Sequence, residues 1–219
     1  MTLAAWTARA QLSCPTADSD GSSEGTGPMP LVAGGVPAEA CRYPYMASLS
    51  NKNYGGAHIC GGTLVHESWI LTAASCVDKR FSNRDFASPD ASLNGLRQGM
   101  PETFQENIPT VEADLQIHPE YDGDPVSGYN VALLRLESPS KQPPIKLIAP
   151  DEGLEAGELV GLIGWGRSGG TGAFASTLLE ATDVELEGPD VCADFGAKDT
   201  AKVFCAGAGD HAFCQGAGW

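Results

Sequence analysis

At 219 residues with 42% hydrophobic side chains, the chain is long enough for one or two domains with ordinary cores. Its formal net charge of -15, from 28 acidic residues against 13 basic ones, excludes nucleic acid, heparin or an anionic membrane surface as expected partners. No stretch approaches the roughly 20 apolar residues that a membrane-spanning helix needs.

In chain order, residues 1–30 are polar, Gly/Ser-rich and without periodicity, so they read as a disordered leader. The apolar patch at 3–6 is short, and Arg9 follows it where a signal peptide would carry its charge in front, so no signal peptide is convincing. From Pro44 onward short apolar runs at 46–49, 59–65, 69–74, 111–117 and 131–136 alternate with turn residues and predict antiparallel strands. Residues 78–100 are polar and irregular, with Asn94-Gly95 as a turn signal, and predict a long surface excursion. Lys141-Gln142-Pro143-Pro144 breaks the pattern, since prolines cannot donate to a ladder. Further strands are expected at 145–148, 158–164, 178–186 and 203–206, with short helical turns after Ser75 and near 189–195. With 27 glycines and 15 prolines the composition also fits an all-β chain of short strands.

Several motifs stand out. Tyr43-Pro44-Tyr45-Met46-Ala47-Ser48-Leu49, His58-Ile59-Cys60-Gly61-Gly62-Thr63-Leu64-Val65, Leu71-Thr72-Ala73-Ala74-Ser75-Cys76, Ile117-His118-Pro119-Glu120-Tyr121, Asn130-Val131-Ala132-Leu133-Leu134-Arg135-Leu136, Gly164-Trp165-Gly166 and Cys214-Gln215-Gly216 follow one another in a fixed order. Each alone is weak evidence, but the order supplies the context an isolated match lacks. In that order they resemble the chymotrypsin- and trypsin-like serine protease family, and the resemblance covers residues 31–219. It implies an all-β fold of two antiparallel six-stranded barrels, the first over 31–140 and the second over 141–219. The second is expected to be incomplete, because too few strands precede Trp219; a fragment or a faulty gene assembly at the C-terminus is the reading that follows.

The same resemblance places the family's catalytic histidine, aspartate and serine at Ser75, Asn130 and Gly218. Serine proteolysis needs a hydroxyl nucleophile, an imidazole base, a carboxylate to hold its tautomer and N–H groups aimed at the oxyanion. A serine has no pKa in the range a general base needs, an asparagine carries no charge and a glycine has nothing to attack with. The oxyanion-hole positions correspond to Gly216 and Gly218, and the base of the specificity pocket to Ala212. The activation pair is missing too, since Pro30 precedes the degraded start Leu31-Val32-Ala33-Gly34-Gly35 and Ala217 replaces the aspartate beside the nucleophile. The expectation is a catalytically inactive homologue acting as a secreted binding or regulatory module, monomeric, with a protein partner. The alternative is a fragment, or the product of a wrongly assembled gene, of a serine-type endopeptidase.

Seven cysteines argue for an oxidising compartment, with one left over. The resemblance pairs Cys60 with Cys76 and Cys192 with Cys205; Cys14 and Cys41 pair with each other or stay free, and Cys214 is expected to lack a partner. His58 reads as a half-buried strand residue near the old cleft, His66 as solvated and His118 as a strand-end residue, while Asp210 beside His211 reads as an exposed loop carboxylate. No spacing resembles a zinc site or a nucleotide-binding loop, so no metal and no cofactor are expected.

Overall fold

The computed structural model describes residues 35–51, 55–80, 88–99, 102–149, 152–165 and 177–207. It is mostly β. Ten strands run β1 (Val36–Pro37), β2 (Met46–Asn51), β3 (Ala57–His66), β4 (Trp69–Thr72), β5 (Asp90–Leu93), β6 (Glu106–Pro109), β7 (Gln116–Ile117), β8 (Ala132–Arg135), β9 (Leu159–Gly164) and β10 (Leu179–Glu185) among the described residues. Two short helices, α1 (Ala74–Val77) and α2 (Pro189–Asp194), fall at the expected places.

Seven strands form one antiparallel sheet in the order β6-β5-β2-β3-β4-β8-β7. Its two ends are parts of one chain segment, because β6 pairs with β5 while β7 pairs with β8. Between them Thr110 bridges Leu136, Val111 N–H bonds Arg135 O at 2.9 Å, and Glu137 N–H bonds Pro109 O at 2.9 Å. These bonds draw the ends together and curl the sheet around one core. Alternation fills that core: Ala47 and Leu49 on β2, Leu64 on β3, Ile70 on β4, Leu93 on β5 and Leu134 on β8 are all fully buried. Cutting any of these leucines to alanine costs about 2–5 kcal/mol, the transfer and cavity terms together. Gly62 is needed at the β3–β4 contact, since a Cβ there would lie 2.7 Å from Ile70 Cγ2.

Three differences from the sequence reading have physical causes. The expected surface excursion contains β5, paired with both β2 and β6; Asp90-Ala91-Ser92-Leu93 alternates, but its inward pair has only one large apolar side chain. The expected strand at 111–117 is interrupted by a 3-10 turn at Glu112–Asp114, where the segment hands over from one neighbour to the other. Residues 145–148 form no strand; after the prolines only Ile145 N–H reaches a strand, bonding Leu64 O at 2.9 Å, and Leu147 and Ile148 are exposed.

The second sheet has the order β1-β10-β9 among the described residues, with Leu186 bridging Ala206 beyond it. β1 comes from the start of the chain and pairs Val36 with Glu180, after which the chain crosses to β2 in the first sheet. The expected open edge of the second barrel lies outside the described residues.

Candidate functional site

Register explains why the two halves of the candidate site meet. β4 and β8 are antiparallel with Thr72 opposite Ala132, so the chain leaves β4 toward Ser75 at the end where it enters β8 from Asn130. Ser75 lies in α1, tied back to β3 by the Cys60–Cys76 disulfide with its α-carbons 6.2 Å apart. Asn130 follows Gly128 (φ 92°) and Tyr129 (φ 55°), a pair of left-handed residues that turns the chain sharply into β8. The Tyr129 ring holds this turn, stacking on His118 at 4.5 Å with the Lys202 ammonium 4.5 Å from its centroid.

The two side chains bond each other. Ser75 N–H donates to Asn130 Oδ1 at 2.9 Å, and Asn130 Nδ2 donates to Ser75 Oγ at 3.3 Å. Both residues are half-buried. Beside them the buried Tyr121 phenol is pushed above its usual pKa by burial and by the Asp78, Asp122 and Asp124 carboxylates, with a hydrogen bond to Ser75 acting the other way. Among the described residues the site therefore offers a hydroxyl, an amide and a neutral phenol around neutral pH, and no base that could take a proton there. Gly216, Gly218, Ala212, Asp210 and His211 lie outside the described residues, so the far side of the expected cleft does too.

His58, His66 and His118 are engaged elsewhere. His58 Nδ1 shares a hydrogen bond with Ser48 Oγ at 2.7 Å, its ring lies 5.5 Å from that of Trp165, and burial lowers its pKa to about 4. His66 is exposed and accepts from Ser68 N–H at 3.2 Å. His118 accepts from Glu120 N–H at 3.3 Å, but its stacking on Tyr129 makes it a support of the Asn130 turn. That role and the pairing of the buried Asp78 with the exposed Arg80 escape a reading of the sequence; the Gly128-Tyr129 dipeptide before Asn130 is the available sign of a strained turn.

Cys192 and Cys205 form a second disulfide, α-carbons 5.5 Å apart, pinning α2 to the segment that pairs beyond β10. Cys41 is disulfide-bonded as well, and Cys14 and Cys214 lie outside the described residues. Among the described residues no cluster of three or more His, Cys, Asp or Glu could hold a metal ion, and no helix is long and apolar enough to cross a membrane.

A curled antiparallel sheet followed by a second one, with a disulfide-clamped helical turn facing the entry to β8, defines a protein of the trypsin-like fold. A solved structure described as "Structure of GrC" has that fold, matching with a TM-score of 0.68 and 26% identity over 80% of this chain and 75% of its own. The Trypsin family model matches residues 32–217, and the chain belongs to that family, whose activity is serine endopeptidase. It is similar to the trypsin of Saccharopolyspora erythraea, 31% identical over 84% of this chain and 78% of that protein. It is also similar to human chymotrypsin-like elastase family member 1, 31% identical over 84% of this chain and 72% of that protein.

Proposed function

We propose that this chain is a catalytically inactive trypsin-family protein that acts extracellularly by binding a protein partner. The observation that supports it is the mutual bonding of Ser75 and Asn130, two neutral side chains satisfied by each other at the position the motifs assign to the catalytic base and carboxylate. Family chemistry asks for an imidazole held by a carboxylate there, and loss of any one triad member leaves only ~10³ to 10⁴-fold over water. The cystine bridges favour an oxidising, extracellular setting. With Gly218 at the nucleophile position, the full chain should be inert to ester and amide substrates and to a fluorophosphonate probe. Stoichiometric labelling by the probe would overturn the reading.

The second reading, a product of a serine endopeptidase gene whose activity is proteolysis, is favoured by the 31% identity to trypsin and elastase. Ser75 and Asn130 weigh against it, because each lies inside an otherwise intact motif. The same labelling experiment separates the two.

A further inference from the structure

Phe195 and Phe204 are the two most exposed large apolar side chains among the described residues, at 68% and 69%. Every other phenylalanine, tyrosine and tryptophan among those residues is buried or half-buried. Apolar residues scattered singly over a surface are ordinary, but these two are brought together by one bridge. The Cys192–Cys205 disulfide holds its α-carbons 5.5 Å apart. Phe195 lies one helical turn beyond Cys192 and Phe204 directly precedes Cys205, so the α-carbons of the two phenylalanines are within about 15 Å of each other. About five extended residues cover that span.

The backbone on both sides is fixed. Phe195 N–H donates to Val191 O at 3.1 Å at the end of α2, and beside Phe204 the Cys205 carbonyl accepts from Glu187 N–H at 2.8 Å. Rings presented from such a frame lose little freedom on binding, and aromatic side chains are enriched at protein interfaces.

The charge around the two rings is one-sided. From 183 to 207 the chain carries six acidic residues and two lysines. Both lysines are already engaged, Lys198 with Asp124, and Lys202 with Asp199 at 2.8 Å and with the Tyr129 ring. Asp190 and Asp194 on α2 are exposed and have no ion pair among the described residues. They stand four residues apart on one face of the helix, where like charges repel. Asp194 also lies in the last turn, which holds no basic residue, beside carbonyls whose partial charge is negative. A cation from outside relieves both, and it can lie on the face of a phenylalanine ring as well. A second copy of the chain would bring the same acidic face and a further charge of -15, which disfavours self-association here.

We propose that Phe195 and Phe204, with Asp190 and Asp194, dock an extended segment of a partner protein in which apolar side chains alternate with lysine or arginine. The proposal rests on the reading of the chain as a partner-binding module and supplies the chemistry of that partner.

The test is a fluorescence-anisotropy titration, at physiological salt, of the full chain against a labelled, amidated peptide of about seven residues alternating arginine and leucine, long enough to span both rings. Saturable binding is expected, at least ~10-fold tighter than that of the arginine–serine peptide of equal charge, and the double variant Phe195→Ser/Phe204→Ser should lose a similar factor. Asp190→Asn/Asp194→Asn should weaken binding about twofold to tenfold, and Glu39→Gln/Glu137→Gln, an equal loss of charge at exposed positions on other elements, by less than about twofold. Should the phenylalanine variant misfold, Asp190→Lys/Asp194→Lys serves instead, and it should reject the arginine–leucine peptide and take up a glutamate–leucine one. Equal binding of the leucine and serine peptides, unchanged binding by the phenylalanine variant, or equal effects of the two charge-removing pairs would overturn the proposal. So would a concentration-dependent dimer in sedimentation that the phenylalanine variant abolishes, because it would give the surface to a second copy. Fluorophosphonate labelling of the same sample is scored separately. Labelling overturns the inactive-module reading, whereas a failed titration on an unlabelled chain overturns this surface alone.

Discussion

Asn130 accepts the Ser75 backbone N–H through Oδ1 and turns its Nδ2 toward the Ser75 side chain. The backbone bond thus fixes which end of the amide faces position 75, and the end that faces it is a donor. A carboxylate in this place would present acceptors to both groups. The consequence reaches any attempt to restore an imidazole here. In Ser75→His the ring nitrogen nearest Asn130 would meet an N–H, so the proton should settle on Nε2, the wrong tautomer for a base that must accept from a serine. Nitrogen NMR of the Ser75→His chain should show protonated Nε2 and bare Nδ1, and adding Asn130→Asp should reverse the two. Protonated Nδ1 in the single variant would disprove the assigned amide orientation.

His58 gives a pH prediction. Its pKa falls from 6.5 to about 4 because burial penalises the charged ring. A folded-state pKa below the unfolded one favours the neutral form in the fold, so the stabilisation is complete above about pH 6.5. It declines as pH falls from there toward 4 and is gone below. The size, by the usual conversion, is on the order of 3 kcal/mol. Imidazole NMR should find no His58 titration between pH 5 and 8, and denaturant midpoints should fall below pH 6 less steeply in His58→Gln than in the parent. A ring titrating near 6.5 would remove the effect.

Much of this is legible from residues alone. The apolar runs 59–65 within β3 and 131–136 around β8 announce strands because each is a short, nearly continuous apolar stretch bounded by polar and turn residues. The Leu71-to-Cys76 motif announces the clamped turn at Ser75. β5 is hidden because a central strand needs only small inward residues where its neighbours fill the volume, and alanine gives a weak periodic signal. The Tyr129 support is hidden for another reason: it joins His118, Tyr129 and Lys202, and Lys202 lies far along the chain, so no local pattern records it.

Asp78 supplies a second stability test. Its side chain is only 2% exposed, and Arg80 meets it with Nε at 3.0 Å, Nη2 at 2.7 Å and the backbone N–H at 2.9 Å. These bonds, the Arg80 side chain foremost, hold the carboxyl below its ordinary pKa. Arg80 is 59% exposed, so solvent screens the attraction and the pair adds little by itself. Removing only the arginine is different, because it strands a buried carboxylate. Arg80→Ala should lower stability at pH 7 by more than the screened pair itself contributes, and Asp78→Asn in the same chain should recover part of it. Equal urea midpoints for Arg80→Ala and the parent would contradict this.

Glu180 joins the two halves of the molecule. It lies on β10, its side chain is 8% exposed, and its Oε1 is 3.2 Å from Arg42 Nη1 while Oε2 accepts from the Tyr43 hydroxyl. Arg42 and Tyr43 belong to the segment that leaves β1 for β2, so the carboxylate anchors the crossover between sheets. Burial first, then the hydrogen bond and charge of Glu180, raise the Tyr43 pKa. A raised folded-state pKa means that the neutral phenol is the stabilised form. Its contribution is full below the unfolded value of 10.0 and is lost as pH rises through the folded value. Tyr43→Phe should therefore lower stability by about 1.5–3 kcal/mol at pH 7, the cost of a hydrogen bond to a charged group. The gap between Tyr43→Phe and the parent should narrow at pH 11, where the parent begins to lose the same bond. Glu180→Gln should cost less than Glu180→Ala, because the amide still accepts from Tyr43. Chemical unfolding at pH 7 and pH 11 decides it: a Tyr43→Phe deficit that stays constant between the two pH values would show that the hydroxyl contributes nothing through Glu180.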